Sequence, residues 1–216
     1  MKAAILFSGA ARLGSDCIES MLSSLVGLTH VDMFFYCWEA EGVNEDAIRS
    51  KLLPVMDRRF GVLNIQLVPE YQHTSKANYV VFPETKIQNV FRMYKGIHGC
   101  DLMRRKQEFI EKIRYDVIIR TRSDVKLDSV INLRDYSKVL DDFLVLPKNG
   151  HWRGGYCDQF AIGSSLLMSV YSSVIDYIEA YAAAGLVVHP ETILKHHCRQ
   201  HAVKVLYGDF QTIIVR

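Results

Sequence analysis

The stretch Asp116-Val117-Ile118-Ile119-Arg120-Thr121-Arg122-Ser123-Asp124 passes from an apolar run straight into two arginines and a carboxylate. A short continuous apolar run reads as a strand buried on both faces, so Asp116–Thr121 is expected to be one. Side chains alternate across a strand, and if this one persists Arg120, Arg122 and Asp124 point to one side. Two guanidiniums and a carboxylate are costly to bury without partners. They therefore form either an internal Arg–Asp network that stitches the sheet to a helix, or the wall of a polar site.

Working outward, runs of the same kind recur between helical patterns. Ala3–Phe7, Val31–Cys37, Val62–Val68, Asp142–Leu146 and Phe160–Gly163 read as strands. Helices are expected from Asp16 to Leu25, and from Glu45 to about Leu53 behind an Asn44 cap. Two more are expected over Thr85–His98 and Asp101–Ile113, with Gly99 as an interruption between them. In the second of that pair, Leu102, Phe109, Ile110 and Ile113 are expected inside and four basic residues outside. Ser164 or Ser165 should cap a helix closed near Ala184 by Gly185, and Pro190 should open another. Early alternation of strand and helix predicts an α/β, doubly wound, mostly parallel sheet in a single domain of 216 residues.

The bulk composition excludes several classes. With 26 basic and 24 acidic residues the net charge is +2, which gives no field that would mark a nucleic-acid binder. No window is long or apolar enough to span a bilayer. The five cysteines are odd in number, widely spaced and free of any CxxC pair, so they read as reduced thiols, several of them buried, in a cytoplasmic protein.

Ligands on such sheets sit beyond the carboxyl ends of the strands. After the first strand comes Ser8-Gly9-Ala10-Ala11-Arg12, where a glycine lets backbone N–H groups approach a ligand and Arg12 could reach a phosphate. The plainer alternative is a tight turn with an exposed arginine. After the second strand, Trp38 could stack on a base or sugar ring, or simply cap the core. Asn89 and Arg92 lie three apart on one helical face, which is either a site face or a solvated stripe. His151 to Tyr156 mixes aromatics and glycines, so Trp152 could stack on sugar rings from a mobile loop. Beside it stand Asp158 and Gln159; Asp158 could take a proton from an acceptor hydroxyl or merely bond nearby backbone. His197 and His201 share a helical face with Ile193, Leu194 and Cys198 and read as core histidines. His189 is either a loop or a site residue.

In order along the chain, Ser8-Gly9 with Arg12, Asn89 with Arg92, Tyr115 to Asp124 (YDVIIRTRSD), Asp158 to Ser164 (DQFAIGS) and Pro190-Glu191 together resemble the small bacterial and viral GT-A glycosyltransferase-like proteins, including the WavE-type lipopolysaccharide synthesis group. The resemblance covers nearly the whole chain. It implies a GT-A-like (Rossmann-like) mixed sheet, a UDP- or GDP-sugar donor, a glycan or glycolipid acceptor, and a divalent cation, Mn2+ or Mg2+. The Asp-x-Asp metal motif of that fold falls on Arg122-Ser123-Asp124, which keeps only the last acid; Asp124 is then the metal ligand, with Arg122 replacing part of the cation's charge. The expected function is transfer of a hexose or deoxyhexose to a glycan hydroxyl, with Asp158 as base. Ser8, Gly9, Arg12, Trp38, Asn89, Arg92, Arg120 and Arg122 would hold the donor, and Trp152 and Gln159 would meet the acceptor. Two rivals stand beside it: a sugar nucleotidyltransferase, and a non-catalytic nucleotide-sugar-binding module.

Overall fold

The structure, a computed structural model, describes residues 1–10, 15–39, 43–56, 58–75 and 77–215. The first apolar run becomes β1 (Lys2–Ala10), and α1 (Ser15–Ser23) follows, turning Ile18, Met21 and Leu22 to the sheet. After the two-residue β2 (Leu25–Val26) come β3 (His30–Trp38), α2 (Glu45–Leu52) and β4 (Phe60–Val68). Asn44 caps α2 as expected: its side-chain oxygen accepts from the Ala47 N–H at 2.8 Å, satisfying a donor that the first turn leaves unpaired. A long loop leads to α3 (Ile87–Glu111) and then to β5 (Val117–Thr121), β6 (Val125–Leu127), β7 (Ile131–Asn132) and β8 (Phe143–Leu146). The order closes with β9 (Ala161–Gly163), α4 (Ser165–Ser172), α5 (Ile178–Ala183), α6 (Pro190–Gln200), β10 (Lys204–Tyr207) and β11 (Thr212–Ile214).

Seven strands form one sheet in the order β10-β8-β9-β5-β1-β3-β4. Four of its six neighbouring pairs are parallel, and the two that are not both involve β9, so the fold is α/β with a mostly parallel mixed sheet. Helices cover both faces. Ala3, Ile5 and Phe7 pack with Val31, Met33 and Phe35 against α1 and α2, and Phe7 stacks on Phe35 with ring centroids 4.3 Å apart. On the other face Ala4, Leu6, Phe34 and Ile118 pack against α3, α4 and α6. This two-sided burial explains why β1 reads as a continuous apolar run and not as an alternating one.

Several expectations are corrected. The two helices expected around Gly99 are the single 25-residue α3. Gly96 and Gly99 do not break it; they let it lie close on the sheet. A Cβ on Gly99 would come within 2.5 Å of the Tyr36 ring. The inward face of its second half also differs from expectation: Leu102, Phe109 and Ile110 are exposed, while Arg104 lies inside with Cys100 and Met103. The helix expected from Ser164 to Ala184 is capped by Ser164 but kinks through a 3-10 turn at residues 173–176 before α5. His197 is a core histidine, bonded to the Tyr181 hydroxyl at 2.9 Å and pushed down to about 4 chiefly by burial; His201 is exposed. The five cysteines are free and buried, as expected. Among the described residues, no helix is long and apolar enough to cross a membrane.

Candidate functional site

The carboxyl ends of β1, β3 and β5 open onto a cleft of about 560 Å3. β1 contributes Ser8, Gly9 and Ala10, β3 contributes Trp38, and β5 contributes Arg120, with Arg122 and Asp124 in the turn beyond it. Because β9 runs against β5, the residues that precede it, Asp158 and Gln159, arrive at the same edge. The first turns of α3 bring Asn89, Arg92 and Met93, and the start of α6 brings His189, Pro190 and Glu191. Every described residue proposed from sequence thus lines this one cleft. Arg12 lies outside the described residues.

Local geometry explains the placement. Gly9 has φ of 114°, a left-handed conformation that a side chain would strain. Just beyond it, a Cβ on Gly96 of α3 would stand only 3.5 Å from the Gly9 nitrogen, so helix and strand end meet almost backbone to backbone. Trp38 is largely buried and meets Tyr36 edge to face. Asn89 is exposed at the rim. Arg92 is already engaged: its Nη1 is 2.7 Å from Glu70 Oε1, and its Nε donates to Tyr71 O at 3.1 Å.

The glycine-rich loop is tied down on both sides. Arg153 donates to Glu84 at 2.7 and 3.0 Å and lies over the Phe82 ring. Gly155 packs where a Cβ would fall 2.2 Å from the Glu191 carbonyl carbon, and Tyr156 N donates to Glu191 O at 2.9 Å. Trp152 stays 65% exposed between these anchors, with its ring free to meet a ligand at the mouth of the cleft.

The charged residues of the cleft fall into two states. Arg122 is paired: Nε and Nη2 donate to the two Asp124 oxygens at 2.8 and 2.7 Å. Arg120 is not: at 1% exposure, its Nε and Nη1 have no hydrogen-bond partner among the described residues. Asp158 is also buried, and its Oδ1 has no hydrogen-bond partner among the described residues. Burial pushes the Asp158 carboxyl up, against the pull of Arg120 and Arg122. Burial and the Asp158 charge push Glu191 up to about 8. Burial holds His189 below the usual imidazole range.

His189, which the sequence leaves open between loop and site, lines the cleft, as do Glu191, Glu84 and Glu70, to which the sequence assigns no site role. A signal exists for Glu191. Pro190 marks a helix start, so Glu191 belongs to a first turn, where a carboxylate meets the positive end of the helix. No comparable signal marks Glu70 or Glu84, which reach the cleft from a loop. Comparison with protein-family models gives no match for this chain, and comparison with curated proteins gives none.

Proposed function

We propose that the cleft binds a nucleotide-sugar and that the chain is a glycosyltransferase moving the sugar to a glycan hydroxyl. The observation that carries this reading is Arg120. A buried guanidinium with unpaired N–H groups is destabilising unless an anion meets it, and this one sits where ligands of a parallel sheet bind. The diphosphate of a UDP- or GDP-sugar supplies the missing acceptors. The Ser8-Gly9 turn lets that group come close to the backbone, and Trp152 offers an exposed aromatic face to base or sugar, with the largely buried Trp38 forming part of the wall. A GT-A-like assignment of the sheet belongs to the same proposal; a single reversed strand beside β5 is compatible with it.

The chemistry follows from the charges. As the bond from sugar to diphosphate breaks, the electron pair stays on the departing phosphate oxygen, where Arg120 and Arg122 stabilise it. Asp158 Oδ1 accepts the proton of the attacking hydroxyl. A divalent cation, Mn2+ or Mg2+, would be held by Asp124, but the donor set fits one poorly. Both Asp124 oxygens accept from Arg122, and no three His, Cys, Asp or Glu side chains gather to hold a metal among the described residues. In this proposal the arginine pair is the counter-charge of the diphosphate.

A thermal-shift panel of UDP- and GDP-sugars, each with and without Mn2+, tests the reading, followed by analysis of the products. A raised midpoint with release of nucleoside diphosphate supports it. Pyrophosphate release would indicate nucleotidyl transfer, binding without turnover would indicate a sugar-nucleotide-binding module, and no shift with any donor would end it.

A further inference from the structure

Three side chains at one end of the cleft remain to be explained. Asp158 precedes β9, while His189 and Glu191 flank Pro190 at the start of α6. All three are more than nine-tenths buried. Each has a polar atom without a hydrogen-bond partner: Asp158 Oδ1, Glu191 Oε2 and His189 Nδ1. Of these, His189 Nδ1 and Glu191 Oε2 face each other at 2.9 Å, while Asp158 Oδ1 has no such neighbour. Interior polar atoms are nearly always paired, so a buried carboxylate oxygen of Asp158 with no partner, beside a buried His189–Glu191 pair that lines the same cleft, marks the seat of a ligand rich in hydroxyls. Two carboxyl groups enclosed together do not both ionise, which leaves one of them a proton donor.

We propose that Asp158, Glu191 and His189 form an acceptor subsite for a sugar with neighbouring hydroxyls, in which Asp158 takes the proton of the attacking hydroxyl and protonated Glu191 donates to the hydroxyl beside it. The inference rests on the glycosyl-transfer reading. The step balances. The acceptor oxygen forms the new bond to the sugar, its proton passes to Asp158, the diphosphate leaves with the electron pair, and Glu191 keeps its proton. His189 stands against Glu191 and positions it.

The groups facing this pair decide which acid keeps the proton. Arg120 and Arg122, from the end of β5, pull Asp158 toward the ionised form. Glu84 and Arg153 act on His189 with opposite sign. Tyr94 of α3 donates its hydroxyl to Pro190 O at 2.7 Å, and it stays protonated, as do Tyr171 of α4 and Cys198 of α6, whose own ionisations are pushed up chiefly by burial. The positive charge therefore lies on the Asp158 side, and Glu191 carries the proton up to about pH 8.

Wild type, Glu191→Gln and Glu191→Ala distinguish this from a structural role, through kcat/KM for a glycan acceptor as a function of pH. In wild type the rate rises as Asp158 ionises and falls near pH 8 as Glu191 loses its proton. Glutamine, always neutral, removes the alkaline fall. Alanine, which cannot donate, lies about tenfold below glutamine, the equivalent of one hydrogen bond. An alkaline fall that survives in Glu191→Gln, or equal rates for Gln and Ala, overturns the proposal. A wild type with neither donor binding nor turnover removes the transfer reading and the subsite with it. The proton on Glu191 is then judged separately, from thermal midpoints. The folded state holds this proton far above the ordinary carboxyl range, so wild type should lose stability relative to Glu191→Gln as pH climbs from about 4.5 to about 8. A gap that does not change with pH overturns that part too.

Discussion

Arg104 and Arg120 are each at most 1% exposed, yet their surroundings differ. Arg104 donates through Nε and Nη2 to Asp101 at 2.9 and 2.6 Å and through Nη1 to Glu108 at 2.7 Å, and it also reaches the hydroxyls of Ser165 and Ser169. This network ties α3 to α4. Removing one partner of a buried ion pair strands the other, so Arg104→Ala should cost about 3–5 kcal/mol in urea unfolding. A loss under about 1 kcal/mol would show that the network contributes little. Arg120 has no hydrogen bonds to lose through Nε and Nη1, and its charge acts on Asp158 without a bond between them. Arg120→Met should fold with stability within about 1 kcal/mol of wild type, because a desolvated charge is exchanged for an apolar chain while Asp158 takes up a proton. A large loss of stability in this variant would mean that Arg120 is a structural residue. The sequence distinguishes the two only in part. Arg120 ends an apolar strand and so announces itself. Arg104 stands in the run Arg104-Arg105-Lys106, which reads as a solvated face, and nothing local says that its partners wait on another helix.

At the scale of the element, α3 shows why helix faces are hard to assign from apolar spacing alone. Its first half follows the apolar spacing through Val90, Phe91, Tyr94 and Ile97, but the inner face then continues through Gly99, Cys100, Asp101 and Arg104 as well as Met103, mostly small or charged positions that a count of large apolar residues passes over. Phe109 and Ile110 look like core and are exposed. The glycines differ in a testable way. A Cβ on Gly99 meets the Tyr36 ring at 2.5 Å, so Gly99→Ala should destabilise by about 1–3 kcal/mol through overpacking. A Cβ on Gly96 finds its nearest neighbours at ordinary contact distance, 3.5 Å and beyond. Gly96→Ala should then be neutral or gain up to about 1 kcal/mol from reduced chain entropy. Urea midpoints of the two variants, measured side by side, check the contrast; equal effects would contradict this packing. The caps and first turns were more legible, because Asn44, Ser164 and Pro190 act on their own neighbours and need no tertiary partner.

Across the whole molecule, the doubly wound pattern was legible because each buried strand is a continuous apolar run and most lie between helices. The reversal of β9 was not, since three residues carry no mark of direction. The cleft shows the same limit. Residues at the carboxyl ends of β1, β3 and β5 could be named in advance from the rule that ligands sit at that edge of parallel strands. Glu191 and His189 join them only because α6 is folded back over that edge, and Glu70 and Glu84 only because a loop is. A ligand that binds this assembled cleft and not the unfolded chain should stabilise it by about 2.7 kcal/mol at a hundredfold excess over Kd.

Calorimetric titration of UDP- and GDP-sugars into wild type and Arg120→Met tests the central claim most directly, that the unpaired guanidinium at the end of β5 awaits a diphosphate. The account requires that one donor binds wild type and that its affinity falls by tenfold or more, about 1.4 kcal/mol or more, in a variant that remains folded. An Arg120→Met protein that binds the same donor with wild-type affinity would contradict it.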